Sequence, residues 1–324
     1  ATQIKEENRR LRDTYNKGEK SFTPIAEARK AAQKIVKESS PKPSVECGRT
    51  VTIGLKLSDI IPFINWKMFY HAWRLNAKDD KTCCLESEKE KLRNDALMLL
   101  AKIGDSGFDG MASVVFMEAA TKGDDLMLKK ETGEEIVLPM LRQQGSDSAN
   151  LSLVDMVAEE DYVGVFCVTA GRRLAEESER CREEGDAYGS LLCQTLADRL
   201  AEAASEWLHV EVRRNLWGYS PDENLTIDEI FKGAYAGIRP AVGYPMMPDQ
   251  LLNHKIATLL PLDEIGVEMT ENGAMSPSST VSGLYIASPS ARYFMTGEIG
   301  DDQLADYSGR RGIEIDRMRE LLRL

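Results

Sequence analysis

Several stretches of the chain carry the hydrophobic pattern of β-strands. The run TVTIGLKL, residues 50–57, alternates with a period of two. MASVVFMEA (111–119) and DYVGVFCVTAG (161–171) are apolar enough for buried strands. DLMLKKETGEEIVLPMLRQQ (125–144) predicts a hairpin that turns at Glu131, Thr132 and Gly133. STVSGLYIAS (279–288) and ARYFMTGEI (291–299) predict two late strands.

Other stretches repeat apolar residues at the three-four spacing of a helix. The longest predicted helix covers residues 186–217, and IPFINWKMFYHAWRLN (61–76) predicts a helix with an aromatic face. Asp301 and Asp302 favour the start of a C-terminal helix. Because the strands come in neighbouring pairs rather than as βαβ units, the order favours an α+β fold with a largely antiparallel twisted sheet and flanking helices. The apolar face of the long helix comprises Leu192, Leu196, Leu200, Ala203, Trp207 and Val210.

The first 45 residues differ in composition from the rest. KEENRRLRDTYNKGEK (5–20) is highly charged and offers little to bury. TPIAEARKAAQKIVKE (23–38) predicts a helix with Thr23 as N-cap and Pro24 at the first helical position. SSPKPS (39–44) has the composition of a linker. We therefore expect residues 1–45 to be a charged helical linker to an upstream domain, and residues 46–324 to be the folded domain.

Composition narrows the classes of partner. The chain has 324 residues and a formal net charge of −12, so nonspecific nucleic-acid binding is not expected. It contains no apolar run long enough to span a membrane, and its charged start is unlike a signal peptide. The six cysteines are not at zinc-site spacing and are expected to be free thiols of a cytoplasmic protein. They are Cys47, Cys83, Cys84, Cys167, Cys181 and Cys193.

Common catalytic motifs are absent from the sequence. There is no GxGxxG loop after a strand and no GxxxxGK[ST] loop. The three histidines, His71, His209 and His254, are scattered and form neither a metal cluster nor a triad pattern. The sequence also lacks DxHxxG, the motif that supplies an axial histidine to the cobalt of cobalamin. No bound metal and no catalytic side chain are therefore predicted.

One segment, IRPAVGYPMMPDQ (238–250), has an unusual concentration of proline. Each proline fixes its own φ and biases the preceding residue towards an extended conformation. The segment from Arg239 to Pro245 is thus incompatible with a helix and poor as a central strand. It predicts a stiff, extended loop with an arginine at its start.

This segment resembles the RPAPGYP signature of the reactivation domain of cobalamin-dependent methionine synthase. FINWKMF, LADRLAEAASEWLHVEVRRNLWGY and VSGLYIASPSARYF resemble further family segments in the same order, across roughly residues 45–320. The resemblance implies a single C-shaped domain that binds S-adenosylmethionine and presents its methyl group to cobalamin. Inactive cob(II)alamin is thereby remethylated in an enzyme that transfers a methyl group to homocysteine.

The resemblance also implies partners. Cobalamin would be bound by a neighbouring domain of the same enzyme, and flavodoxin or a related flavoprotein would supply the electron. The fragment alone is not expected to turn over. Two alternatives keep the same fold: a stand-alone module that acts on a separate cobalamin protein, and a docking piece with weak ligand affinity.

The ligand contacts are likewise implied by the resemblance. Arg239 would grip the carboxylate of S-adenosylmethionine through paired hydrogen bonds, Glu202 would face its amino group, and Gly243 would allow close approach. Taken alone, an arginine such as Arg239 is more often part of a surface ion pair, and Glu202 a solvated helix charge. The full set is Asn65, Glu202, Arg239, Ala241, Gly243, Tyr244, Tyr293 and Phe294.

Three positions depart from the family pattern. Asn65 stands where the family has an aspartate. Its neutral side-chain oxygen can still accept a hydrogen bond from the ligand ammonium, but it lacks the negative charge that would strengthen this bond. Val242 replaces a proline and Gln250 replaces a histidine. Either affinity is lower here, or Glu202 contributes more of the interaction.

A basic stripe offers a docking surface for the acidic reductant. Lys67, His71, Arg74 and Lys78 are spaced four, three and four residues apart, which places them on one side of a helix. The alternative interpretation is the solvated side of an amphipathic helix.

Overall fold

A computed structural model of the chain describes residues 22–32, 34–36, 38–75, 82–145 and 148–323. Its helices are α1 Ile25–Ala31, α2 Leu57–Ile60, α3 Trp66–Ala72, α4 Thr82–Asp105, α5 Arg173–Glu183, α6 Ala187–Glu211, α7 Ile227–Phe231, α8 Leu252–Ala257, α9 Asp301–Arg311 and α10 Ile315–Leu321. Its strands are β1 Thr50–Gly54, β2 Met111–Lys122, β3 Asp125–Lys129, β4 Glu135–Pro139, β5 Glu160–Thr169, β6 Glu268–Met269, β7 Met275–Ser276 and β8 Thr280–Tyr285.

The main sheet has six antiparallel strands and confirms the predicted α+β class. Its order is β4-β3-β2-β5-β8, and β1 also pairs with β2. β1 pairs with the first half of β2, where Thr52 lies opposite Ser113. β3 pairs with the second half of β2, where Leu128 lies opposite Ala119. The sheet curls into a half-barrel flanked by helices. The predicted strands at 50–57, 111–119, 125–144, 161–171 and 279–288 are all present.

Both faces of the two central strands of this sheet, β2 and β5, are largely buried. Val114 and Phe116 of β2 point into a core shared with the long helix α6, whereas Val115 and Met117 point into a second core on the other face. Successive side chains of a strand alternate between faces, so a strand covered on both sides must be apolar throughout. This accounts for the continuous apolar run at 111–119.

Helix α6 lies across one face of the sheet, as its apolar spacing predicts. Asp186 is its N-cap and accepts a hydrogen bond from the Gly189 amide. Leu196 and Leu200 are fully buried in the core beneath it. The helix continues into one π-helical turn, Val212–Leu216, before the buried Trp217. Such π-turns are frequent beside functional sites.

The helix predicted for residues 61–76 is shorter in the structure. A 3₁₀ turn covers Ile61–Phe63, and α3 ends at Ala72. Arg74 follows with φ +58, so it lies beyond the helix and breaks the predicted basic stripe. Lys78 lies outside the described residues. The aromatic face is present, with Phe69 fully buried.

The helix predicted for residues 23–38 is also shorter. Pro24, not Thr23, occupies the N-cap position of α1, and the Asp302 carboxylate accepts from the Ile25 amide at 2.6 Å. After Ala31 the chain turns away, because the amides of Ile35 and Val36 bond the Asp155 carbonyl instead of continuing the helix. The charged segment 5–20 lies outside the described residues.

Residues 291–299 do not form the predicted strand. The segment is irregular, because the Thr296 amide donates to the Pro245 carbonyl and the Gln143 side chain donates to the Met295 carbonyl. These partners are scattered over two loops rather than arranged along one strand. The segment therefore crosses in front of the 238–250 loop instead of extending the sheet.

Three further features of the described residues concern cysteines, metal sites and membrane-spanning helices. Cys47, Cys167, Cys181 and Cys193 are free. Within the described ranges, the structure contains no group of histidine, cysteine or acidic residues that could hold a metal ion. None of the helices among the described residues is both long and apolar enough to cross a bilayer.

Candidate functional site

The proline-containing loop lies along the outer edge of β8. The Ile238 and Ile286 amides each donate to the other's carbonyl, and the Leu284 amide donates to the Pro240 carbonyl. Proline has no amide hydrogen, so it fits only where its nitrogen is not required by the ladder, as at a sheet edge. The predicted stiff loop is therefore also a short extension of the main sheet.

Two glycines shape this loop. An added Cβ on Gly283 of β8 would meet the Pro240 carbonyl oxygen at 2.2 Å, so only glycine permits this close pairing. Gly243 has φ +85, and nothing lies within 4 Å of where its Cβ would be. The left-handed backbone at this position itself favours glycine, and close approach of a ligand to Gly243 stays a prediction.

The loop forms one wall of a cavity of about 580 Å³ between α6 and residues 293–295. This volume is in the range of small-molecule sites. Of the residues predicted to bind ligand, Glu202, Arg239, Ala241, Tyr244, Tyr293 and Phe294 line it. Glu206, Tyr235, Pro240, Pro245, Met246 and Met295 also line it and were not predicted.

Arg239 is the buried cation of this cavity. Only 8% of it is exposed, and its guanidinium donates to the Glu206 carboxylate at 2.6 Å. Its amide donates to the Tyr293 hydroxyl at 2.8 Å. Burial alone would lower the pKa of Arg239, but Glu206 and the neighbouring groups outweigh it and raise that pKa. Within the described residues, its Nε has no hydrogen-bond partner.

Glu202 of α6 and Tyr244 of the loop also line the cavity. The Tyr244 hydroxyl donates a hydrogen bond to the Glu202 carboxylate. Burial, together with that carboxylate, raises the pKa of Tyr244, so its hydroxyl stays protonated near neutral pH. The same two residues also line a smaller cavity of about 240 Å³, and thus form the partition between the two spaces.

A buried polar layer lies behind Arg239. His209 is fully buried between the rings of Tyr235 and Tyr285, and burial, reinforced by Arg213 and Arg239, lowers its pKa well below 6.5. Arg213 comes from the π-helical turn, and Glu223 neutralises it through a 2.6 Å hydrogen bond. Within the described residues, several buried atoms of this layer lack a partner: Glu206 Oε2, His209 Nδ1, Arg213 Nη1 and the Tyr285 hydroxyl.

Two predicted residues are placed away from the cavity wall. Asn65 is the N-cap of α3, and its side-chain oxygen accepts from the Met68 amide at 3.2 Å. Gly243 lies in the loop between Ala241 and Tyr244, where its amide donates to the Met247 carbonyl at 2.8 Å. Ligand contacts by these two residues stay predictions.

Sequence reasoning missed Glu206 although a signal was available. Glu206 follows Glu202 by four residues on a predicted helix, so both side chains must leave the same face. The family resemblance implies a ligand contact for Glu202 alone, whereas the helical spacing extends the same expectation to Glu206. Tyr235 carried no comparable signal, because only the fold brings it beside Tyr293, at 3.4 Å between hydroxyls.

A larger open groove of about 1380 Å³ lies elsewhere, on β2, β3 and the start of β5. It is lined by charges of both signs, including Lys34 and Glu159. Lys34 donates to the Thr121 hydroxyl, and Asp161 accepts from the Ser40 amide. These bonds fasten the segment before residue 46 to the sheet, so we attribute the groove to that packing.

The residues that line the cavity of about 580 Å³ beside Arg239 define what this cavity can bind. Two carboxylates and one guanidinium provide fixed charges, while tyrosine, phenylalanine and methionine side chains provide an apolar wall. Such a site suits a small molecule that joins charged groups of both signs to a flat ring. The arrangement favours binding and orientation rather than acid-base catalysis, since its only histidine neighbour, His209, is buried behind Arg239 in the described part of the chain.

Comparisons with known proteins agree with this description. Residues 56–312 match the family described as vitamin B12-dependent methionine synthase, activation domain. A solved structure described as the MetH reactivation domain bound to AdoHcy is similar, with a TM-score of 0.84 and 30% identity. The alignment covers 93% of this chain and 97% of that one.

Proposed function

Because the chain belongs to the family of vitamin B12-dependent methionine synthase activation domains, we propose that it binds S-adenosylmethionine in the cavity beside Arg239. It presents the ligand's methyl group to cobalamin held by a neighbouring domain of the same enzyme, so that inactive cob(II)alamin is remethylated. The observation that carries this proposal is a buried guanidinium that lines one small cavity together with two carboxylates of α6 and keeps an unpartnered Nε within the described residues. Residues 46–324 are proposed as the binding domain, and the segment before them as the connection to an upstream domain.

The residues of the cavity fit the parts of this ligand. Arg239 has donors beyond the one used by Glu206, and a guanidinium binds a carboxylate through paired hydrogen bonds. Glu202 lines the same cavity and offers a carboxylate suited to the ligand ammonium. Tyr293, Phe294 and Ala241 supply surface for the adenine and ribose. Asn65 is a proposed further contact from the start of α3.

Placement is the main contribution of the protein. When bound, S-adenosylmethionine supplies a methyl group on a positively charged sulfonium, which needs no activation by side chains. The stiff loop holds its backbone in place through the ladder to β8, and Tyr293 fixes the Arg239 backbone from the other side. A site held in this way orients a ligand at low entropic cost.

The electron for reactivation is proposed to come from flavodoxin or a related flavoprotein. Lys67 and His71 lie on one side of α3 and are candidates for the surface on which this flavoprotein docks. Arg74 does not continue this surface, because it lies beyond the end of the helix. The chain alone is not expected to turn over, because cobalamin, methyltetrahydrofolate and homocysteine are proposed to bind elsewhere in the enzyme.

The proposal is tested by titrating the 324-residue chain with S-adenosylmethionine in a calorimeter, alongside Arg239→Ala and Arg239→Lys. We expect Arg239→Ala to lose most of the affinity, more than about tenfold, because a charge-assisted bidentate contact is removed. Arg239→Lys should be intermediate, since lysine keeps the charge but not the planar fork. Arg172→Ala, which removes a surface pair with Glu268, is the control and should bind normally.

Folding of each variant is checked by circular dichroism and thermal unfolding. Unchanged affinity in folded Arg239→Ala would remove Arg239 from the site. Absence of binding by the wild type would favour the docking-piece alternative.

A further inference from the structure

Glu202 and Glu206 stand one helical turn apart on α6 and both line the cavity. Like charges at this spacing repel each other and destabilise a helix unless something compensates them. Arg239 compensates Glu206 directly, at 2.6 Å. The hydrogen-bond partner of Glu202 within the described residues is the uncharged Tyr244 hydroxyl.

Surrounding charges do not cancel this excess. Arg213 is neutralised by Glu223, and buried His209 is held in its neutral form. The adjoining smaller cavity contributes Asp198 and Arg199, which are of opposite sign. Two carboxylates against one guanidinium therefore leave the binding cavity with one net negative charge.

The two adenosyl ligands differ by one charge. S-adenosylmethionine carries an ammonium, a carboxylate and a sulfonium, and is a net monocation. S-adenosylhomocysteine, its demethylated product, lacks the sulfonium charge and is neutral overall. Glu202 and Arg239 already match the ammonium and carboxylate that both ligands share. Because Glu206 shares the Arg239 guanidinium with the proposed ligand carboxylate, the site keeps one negative charge in excess, and only the sulfonium ligand balances it.

We propose that Glu206 is a specificity-determining residue that makes the cavity favour the sulfonium ligand over its neutral thioether product. This inference rests on the proposed binding of S-adenosylmethionine. Glu206 acts through the net charge of the site, whereas its hydrogen bond to the Arg239 guanidinium can also be made by the neutral oxygen of a glutamine. A site with this balance weakens its hold on the ligand once the methyl group has been transferred, and so promotes release of the product.

The test compares three ligands by calorimetry at low salt: S-adenosylmethionine, S-adenosylhomocysteine and sinefungin, in which a charged amine replaces the sulfonium. Glu206→Gln keeps the size and a hydrogen-bonding oxygen but removes the charge. We expect it to weaken S-adenosylmethionine and sinefungin binding by about five- to tenfold, as for one charge at moderate distance in a partly buried site. Binding of S-adenosylhomocysteine should change less than about twofold, because Coulomb attraction to a neutral ligand is small.

Glu211→Gln is the matched control, since it removes one charge from the same helix at a position where the carboxylate accepts a hydrogen bond from the Asn215 side chain at the surface. It should leave the preference among the three ligands unchanged. Equal weakening of all three ligands by Glu206→Gln would show a general structural role and overturn the inference, as would unchanged binding of S-adenosylmethionine.

The wild-type chain gives a second readout if Glu206→Gln does not fold. Its preference for S-adenosylmethionine over S-adenosylhomocysteine should fall as salt rises from about 20 to 500 mM, because screening acts on the net charge of the ligand. A preference that is absent, or independent of salt, would overturn the inference while leaving the proposed function intact. Failure of the wild type to bind S-adenosylmethionine at all would overturn both.

Discussion

A single buried arginine organises the candidate site at the residue scale. Arg239 is held by Glu206 through its side chain and by Tyr293 through its amide, so its guanidinium has little freedom. Neither partner is near Arg239 in the sequence. An arginine in a proline-rich stretch could equally have formed an ion pair at the surface. The burial of Arg239 favours the interpretation that it binds ligand.

Asn65 provides the first prediction. It caps α3 by accepting from the Met68 amide, and an aspartate at an N-cap can make the same bond with a favourable charge at the helix N-terminus. We expect Asn65→Asp to raise the free energy of unfolding by up to about 1 kcal/mol and to leave S-adenosylmethionine affinity equal or tighter. Thermal unfolding and calorimetry at neutral pH measure both effects. Clearly weaker binding would place another carboxylate beside this position.

His209 gives the second prediction, on pH. Its pKa is lowered in the folded protein, so below pH 6.5 the unfolded chain takes up a proton that the folded chain does not. Stability should therefore fall as pH drops from about 6.5 to 5, above the range where most carboxylates titrate. His209→Gln should show a flatter dependence of melting temperature on pH over that window.

At the scale of elements, the loop and β8 act as one unit. The loop contributes edge hydrogen bonds to Leu284 and Ser282, and β8 in turn fixes the backbone on either side of Arg239. The irregular segment that carries Tyr293 then closes the cavity from outside. The cavity thus lies where the loop on the outer edge of β8, the segment that carries Tyr293 and helix α6 meet.

The third prediction concerns Gly283, where β8 and the loop are closest. A methyl group there would lie 2.2 Å from the Pro240 carbonyl oxygen, so Gly283→Ala must push the loop outward. We expect a loss of about 1–3 kcal/mol in the free energy of unfolding and weaker S-adenosylmethionine binding. Gly309→Ala is the opposite control, because Gly309 is helical with open space around it and alanine favours helix. Equal stability of the two variants would contradict the close pairing.

At the scale of the whole molecule, the segment before residue 46 packs onto the domain. Arg29 pairs with Asp124 at 2.7 Å and with Asp306 at 2.6 Å, and so ties the segment to both the sheet and α9. The buried Arg142 pairs with the same Asp124. Further along, the Trp217 indole donates to the Pro41 carbonyl at 2.8 Å.

The fourth prediction follows from this attachment. A chain that starts at residue 46 should lose at least about 2 kcal/mol in the free energy of unfolding, because buried charges around Asp124 lose a partner. A chain that starts at residue 22 keeps every contact named above and serves as the control. Chemical denaturation measures the difference. Equal stability of the two truncations would show that the segment is only a linker.

The sequence by itself determined the elements whose pattern is strong and local. Three patterns directly reflect which side chains are buried in the core. They are the period of two at 50–57, the apolar runs of β2 and β5, and the three-four spacing of α6. The proline-rich loop was predictable because proline restricts its own backbone whatever surrounds it. Family resemblance then selected Glu202, Arg239 and Tyr293, which do meet around one cavity.

Tertiary structure decided what depends on distant partners. Residues 291–299 alternate like a strand, yet their amides and carbonyls bond Pro245 and Gln143 from other loops. α1 ends after Ala31, and the amides of Ile35 and Val36 bond the distant Asp155 carbonyl instead of the preceding turn. The pairing of Glu206 with Arg239 joins residues 33 positions apart. A local pattern cannot encode such contacts, because they exist only once the sheet has brought the segments together.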